Sequence, residues 1–200
     1  MTATLLATLA DLRPWPLAAL AHKLQRDAAD VHAQLIALQG SGRVPLQETA
    51  AGWQLRPALA LLDAAWLSHA CPAAAVQVLS VTDSTNSVLV RLSERRNGDA
   101  VLAEYQSAGR GRRGRAWQSP FAGQIILSMY WHYAAAEAAT AISIALGIAA
   151  AEALRVAGFP VQLKWPNDLY LHGRKLGGIL VESSIGAHGV DTIAGIGINL

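Results

Sequence analysis

The sequence predicts an α+β protein in two parts: a winged helix-turn-helix domain at residues 1–65 and a mixed β-sheet domain at residues 66–200. Three observations predict it. Residues 4–40 place apolar side chains on a helical period, broken by Pro14 and Pro16, and two short strand-like segments follow. After Cys71-Pro72 the texture changes to short β-branched and apolar runs bounded by glycine, proline and polar residues. The composition, 52% hydrophobic and 15% charged, is that of a globular chain with material for a core.

In order, the spacing predicts helices over Thr4–Leu12 and Leu17–Leu24. A third runs from an Asp27 cap through Val31, Leu35, Ile36 and Leu38 to Gly40. Val44–Thr49 and Gly52–Leu55 read as a hairpin, and three short helices plus a hairpin is the outline of a winged helix-turn-helix. Pro57–His69, apolar and alanine-rich, reads as a connecting helix. The second part then reads as strand Val76–Val81, helix Thr85–Arg96 capped by Asp83 or Ser84, and strands Ala100–Tyr105 and Gln124–Trp131. A long helix, Ala134–Ala157, stops at Gly158-Phe159-Pro160. Strands Val161–Trp165, Leu169–Leu171, Lys175–Ser183 and Thr192–Asn199 complete the chain, with His172-Gly173-Arg174 as a hairpin turn.

The N-terminus lacks the basic start and apolar run of a signal peptide, and the apolar stretch Ala138–Ala151 is too short to cross a bilayer as a helix. One cysteine, Cys71, excludes an intramolecular disulfide. Together these predict a soluble cytoplasmic protein with no membrane partner. The net charge of +2 excludes nothing, but four arginines, Arg110, Arg112, Arg113 and Arg115, fall within six positions.

Those arginines sit in Gly109-Arg-Gly-Arg-Arg-Gly114, a literal G-x-G-x-x-G. A dinucleotide loop needs a helix at its end, because the helix N-terminus binds the pyrophosphate. Here Arg115-Ala-Trp-Gln-Ser-Pro120 follows, and then a strand. A kinase loop needs later catalytic-loop and metal-aspartate motifs, which are absent. What remains is a loop whose glycines let backbone N–H groups approach an anion, and whose arginines add forked donors suited to carboxylate and phosphate. The competing reading is a solvated basic turn or a nucleic-acid patch.

Further segments carry polar groups at strand ends. Asp83-Ser84-Thr85-Asn86 lies at a strand-to-helix junction, as a helix cap, a ligand contact or both. Lys164-Trp165-Pro166-Asn167-Asp168 joins two strands and packs a lysine, an amide and a carboxylate around a proline. Lys175-Leu-Gly-Gly-Ile-Leu-Val-Glu182 and Gly195-Ile-Gly-Ile-Asn199 are strands with glycines inside, a cost best explained by close approach of a ligand or another backbone.

Ser84-Thr85-Asn86, the run Gln106 to Arg115, Lys164 to Leu169, Lys175 to Glu182 and Gly195 to Asn199, in this order and spacing, closely resemble the biotin protein ligases. The resemblance covers roughly residues 76–200, and the first part resembles the winged-helix domain of the bifunctional members. It implies a catalytic sheet of the class II synthetase and biotin ligase type. It further implies that biotin and ATP, with magnesium (Mg2+), give biotinoyl-AMP, and that biotin then passes to one lysine of a biotin carboxyl carrier protein.

Residue by residue, the resemblance implies that Ser84, Thr85, Asn86 and Gln106 contact the biotin head group. Arg110, Gly111 and Arg112 belong to the loop over biotin and the adenylate, and Lys175 meets the biotin carboxylate. Arg113 and Arg115 support the loop or the phosphates, and Trp117, Asn167 and Asn199 lie on the nucleotide side. Lys164 and Asp168 lie where the acceptor lysine arrives. Lys175, Arg110, Arg112 and Asp168 are the expected catalytic set, with no metal site in the protein itself. Family members continue with more catalytic sheet and a C-terminal β-barrel, so an incomplete catalytic domain is expected at Leu200.

The resemblance also implies operator DNA and a homodimer as partners. Charge leaves the first open: residues 1–70 carry five basic and five acidic side chains, and Asp27–Gln39 contains no Lys or Arg but is flanked by Lys23, Arg26 and Arg43. The alternatives are a lipoate ligase, which runs the same chemistry, and a ligand-sensing repressor without full ligase activity. The arginine–glycine loop and the Lys164–Asp168 motif favour biotin.

Overall fold

The computed structural model describes residues 2–56, 60–135 and 141–200. The first unit packs α1 (Thr2–Leu9), α2 (Leu17–Leu24) and α3 (Ala28–Gly40) against a hairpin of β1 (Leu46–Thr49) and β2 (Gly52–Leu55). Asp27 caps α3 by accepting from the Ala29 N–H at 2.7 Å. Trp15 bridges to Trp53, adding a third short backbone pairing beside the hairpin. The three helices and the hairpin expected there are present, around a core of Leu5, Leu6, Leu9, Leu35 and Trp53.

That core does not stop at the first unit. Tyr105 and Phe121, from the second part of the chain, are buried in the same cluster. The Phe121 N–H donates to the Arg43 carbonyl at 3.0 Å. The Leu62 N–H donates to Glu104 Oε1, and burial pushes that carboxyl above its ordinary value. The expected division between residues 65 and 66 falls inside α4 (Ala64–Ala70), which Asp63 caps by accepting from the Trp66 N–H at 2.9 Å.

The second unit is a seven-stranded mixed sheet. Its strands are β3 (Val76–Leu79), β4 (Ala100–Ala103), β5 (Gln124–Tyr133), β6 (Gln162–Lys164), β7 (Asp168–Leu171), β8 (Arg174–Gly186) and β9 (Gly189–Asn199). They lie in the order β3-β4-β5-β9-β8-β7-β6. Only β3 and β4 are parallel, joined through α5 (Thr85–Arg91); the other pairs are antiparallel. Side chains alternate between faces along each strand. Ile179, Ile196 and Ile198 face α6 (Ile142–Val156), which buries its small residues Gly147 and Ala151. A Cβ on Gly147 would stand 2.6 Å from Leu163 Cδ1, so that glycine is what allows the helix to lie this close. On the other face, α5 buries Leu89 against Val101, Tyr130 and Ile193.

The first expected helix ends at Leu9 rather than Leu12, where φ is +60°, and three others are shorter than the sequence suggests. The connecting helix begins only after Asp63; residues 57–59 lie outside the described residues. α5 ends at Arg91, where Leu92 turns extended, because the chain must return through Gly98 (φ +93°) into β4. α6 begins at Ile142: Tyr133 still pairs with Val190 and Ala134–Ala135 form a bend, so local alanine propensity loses to the strand ladder. Residues 136–140 of that expected helix lie outside the described residues.

Candidate active site

The site lies on the α5 face of the sheet, above β5, β9 and β8. Strand register sets its floor in rungs about 7 Å apart along the strands. One rung is Ser128, Gly195 and Leu180; the next is Ile126, Gly197 and Gly178; a third begins with Gln124 and Asn199. Two glycines in β9 keep this floor low. A Cβ on Gly195 would stand 2.5 Å from Asn86 Oδ1, and one on Gly197 would stand 2.5 Å from the Trp117 ring. Two of the glycines noted in the sequence, Gly195 and Gly197, are thus where Asn86 and Trp117 press onto the sheet, while a Cβ on Gly177 would meet the Gly197 carbonyl oxygen. The cavity above has a volume of about 480 Å3, the size of a small-molecule site. Every residue expected at the site lines it except Lys164 and Asn199.

At the first rung the polar groups form one connected chain. The Thr85 N–H and hydroxyl reach Gln106 Oε1 at 2.8 and 3.1 Å. Thr85 Oγ1 lies 2.6 Å from Ser128 Oγ, which donates to Asn86 Oδ1 at 2.5 Å. Asn86 Nδ2 donates to Glu182 Oε2 at 2.7 Å. Ser84, Thr85, Asn86 and Gln106 are all buried. Ser84 occupies the cap position of α5 but makes no side-chain cap bond, and Gln106 takes over the Thr85 N–H that a cap residue leaves open. The expected cap bond of Asp83 or Ser84 is therefore replaced. Asp83 instead binds Arg91 at 2.7 and 2.9 Å, and that guanidinium holds its carboxyl well below the usual carboxylate range.

Above the floor, Gly109–Arg115 folds back on itself. Gly111 N–H donates to the Arg115 carbonyl at 2.7 Å and Trp117 N–H to the Gly109 carbonyl at 2.8 Å. A single 3-10 turn, Arg112–Gly114, with Arg113 at φ +59°, stands where a dinucleotide loop would start a helix. Arg110 binds Glu182 at 3.0 Å and Ser87 at 2.9 Å; Arg112 Nη1 donates to Asn167 Oδ1 at 2.8 Å. Arg112, Arg113 and Arg115 pair with no carboxylate among the described residues. They supply a cationic cover free to meet an anion.

Asn167 is held from both sides, donating to the Ile179 carbonyl at 2.7 Å while its own carbonyl accepts from the Ile179 N–H at 2.9 Å. Next to it Lys175 Nζ donates to Asp168 Oδ1 at 2.7 Å, beside Gly178. Lys164 turns away: its Nζ lies 4.8 Å over the Tyr170 ring and does not line the cavity. Asn199 accepts from Gln124 Nε2 at 2.6 Å, and Gln124 Oε1 accepts from the Trp117 indole N–H at 3.0 Å. It stands one bond behind the indole. Sequence reasoning did not single out Ser128, Gln124 or Glu182. The pairs Ser128–Asn86, Gln124–Asn199 and Glu182–Asn86 span 42, 75 and 96 positions, and no local pattern signals them.

A mixed sheet with a glycine floor, a buried polar end and a cationic cover defines an enclosed site of small-molecule size. Residues 77–199 match the biotin/lipoate A/B protein ligase family, and the chain belongs to that family. It is 49% identical over 154 residues to the bifunctional ligase/repressor BirA of Salmonella typhimurium, across 74% of this chain and 48% of that protein. With the biotin–[acetyl-CoA-carboxylase] ligase of Paracoccus denitrificans it shares 46% over 133 residues, 62% of this chain and 53% of that one. Among solved structures it resembles the biotin protein ligase of Aquifex aeolicus in complex with biotin and ATP. That match has TM-score 0.54 and 32% identity, over 63% of this chain and 52% of that one. The biotin protein ligase of Leishmania major in complex with biotin matches with TM-score 0.54 and 29% identity, over 62% and 56%. The chain spans about half the length of the curated relatives it matches.

Proposed function

We propose that this chain carries the biotin- and ATP-binding centre of a biotin protein ligase. It activates biotin to biotinoyl-5'-AMP and passes biotin to a lysine of a biotin carboxyl carrier protein. One observation carries the reading: a polar end whose donors and acceptors suit a cyclic urea shares a cavity with a lysine and three carboxylate-free arginines. The Gln106 oxygen is committed to the Thr85 N–H, so its Nε2 is the group left to donate to a urea carbonyl. The Thr85 and Ser128 hydroxyls keep lone pairs for urea N–H groups.

In this reading the biotin carboxylate lies against Lys175 and attacks the α-phosphorus of ATP, releasing pyrophosphate. Lys175 and Arg112 stabilise the negative charge that develops there. Trp117, flat on Gly197 and fixed by Gln124, offers the adenine a stacking face. The folded arginine–glycine loop covers the mixed anhydride and keeps water from it. Asp168 orients the acceptor amine, which attacks the acyl carbon as AMP departs. Magnesium bound to the ATP phosphates would offset their charge as pyrophosphate leaves. Asp168, the carboxylate that lines the cavity, already holds Lys175.

The test is ATP-dependent labelling of a purified carrier domain. Biotin on its acceptor lysine is the expected result. Lipoate on that lysine in place of biotin overturns the reading. Biotinoyl-AMP without transfer points instead to a ligand-sensing protein.

A further inference from the structure

We propose that Glu182 is a positioning residue: it orients the polar end of the cavity and ties the arginine–glycine loop to it. The inference rests on the ligase reading for its ligand, and on geometry alone for the tie.

A carboxylate only accepts hydrogen bonds, so the group facing it must donate. Asn86 therefore turns Nδ2 to Glu182 at 2.7 Å, which leaves its Oδ1 facing Ser128 over Gly195. Ser128 spends its one proton on that oxygen and accepts the one Thr85 hydroxyl proton at 2.6 Å, which leaves the Thr85 N–H as the donor to Gln106 Oε1. Glu182 thereby fixes the direction of the whole chain from Asn86 to Thr85, and with it which atoms the cavity presents.

The same carboxylate accepts from Arg110 Nη2 at 3.0 and 3.2 Å, while Arg110 Nη1 donates to Ser87 at 2.9 Å. An isolated ion pair as exposed as this one contributes little. Here the carboxylate is shared with a buried amide, so the loop and the polar end have one common anchor. Among the described residues no other carboxylate contacts an arginine of Gly109–Arg115.

Glu182→Gln tests this with two readouts on the full chain. Glutamine can accept from Asn86 or from Arg110, but its amide sets a donor against the other. Without ligand, trypsin should cut after Arg112, Arg113 and Arg115 about tenfold faster than in the parent, the scale of one lost charge-assisted hydrogen bond. Cutting after Arg174, the exposed first residue of β8, should be unchanged and serves as the internal reference. KM for biotin should rise about tenfold with kcat little changed, because the misdirected amide acts on binding of the head group. Arg110→Gln, which keeps the Glu182–Asn86 bond, should reproduce the faster loop cleavage with a smaller rise in KM.

Unchanged loop cleavage overturns the proposal, and so does an equal rise at Arg174, which would mark general loosening. Faster loop cleavage with an unchanged KM for biotin overturns the orienting half. A parent protein that neither binds nor activates biotin removes the ligase reading, and the protease readout still decides whether Glu182 holds the loop.

Discussion

Lys175 faces Asp168 at 2.7 Å and, in the proposed reaction, the biotin carboxylate as well. Its ammonium can serve both because it has three donors on a flexible stem. Lys175→Ala removes the positive charge where the phosphate gains negative charge, so biotinoyl-AMP formation should fall at least about 100-fold, the scale of losing a preorganised electrostatic contact. The side chain is substantially exposed, so the circular dichroism spectrum and the melting temperature should hardly move. Near-normal pyrophosphate release by this variant would remove Lys175 from the chemistry. The arginines of the loop divide by geometry: Arg110 is tied to Glu182, while Arg113 and Arg115 keep their charge uncompensated for the ligand.

At the scale of the element, α5 is short and depends on partners outside itself. Its first N–H is met by Gln106, and its last residue, Arg91, reaches back to Asp83. Because the native carboxyl of Asp83 is held well below the ordinary value of 3.8, the clamp stabilises the fold at pH values above that figure. The contribution is lost as pH falls below it toward the depressed native value. Asp83→Asn should therefore show a smaller loss of urea resistance than the parent between about pH 6 and about pH 3. An identical acid loss in both proteins would assign the effect to other carboxylates. Local signals found this element but overran its end. Val88, Leu89 and Val90 continue a helical pattern, while Leu92 must turn extended to feed β4. The same holds for the site. Its contact residues were legible because they cluster in short motifs. Ser128, Gln124 and Glu182 were given no role, because the fold and not a local pattern sets Ser128 and Glu182 beside Asn86 and Gln124 beside Asn199.

Across the whole molecule, the two units meet in one core through Tyr105 and Phe121. Phe121→Ala should cost about 3–5 kcal/mol, the usual range for a buried phenylalanine. Tryptophans lie on both sides, Trp15 and Trp53 in the first unit and Trp117 and Trp131 in the second. Urea unfolding followed by fluorescence should shift as one transition; two separated transitions would show the units unfolding independently. The first unit also limits any contact with DNA. α3 has no Lys or Arg, Arg26 is engaged with Gln34, and Lys23 lies 4.9 Å over the Trp15 ring. With Lys23, Arg26 and Arg43 as the nearest cations, the log–log dependence of DNA affinity on salt should have a slope no steeper than about −3 per copy. A much steeper slope in an anisotropy titration would place the contact elsewhere. The strand order carries one more consequence, for synthesis. β9 comes last in sequence of the seven strands yet sits between β5 and β8. A growing chain that has not yet released Gly189–Asn199 from the ribosome holds two long unpaired edges apart and has no glycine floor. The helical unit can condense early from local contacts, whereas the ligand site appears only when that final strand slots home. Biotin should therefore bind only to nascent chains whose β9 has fully emerged.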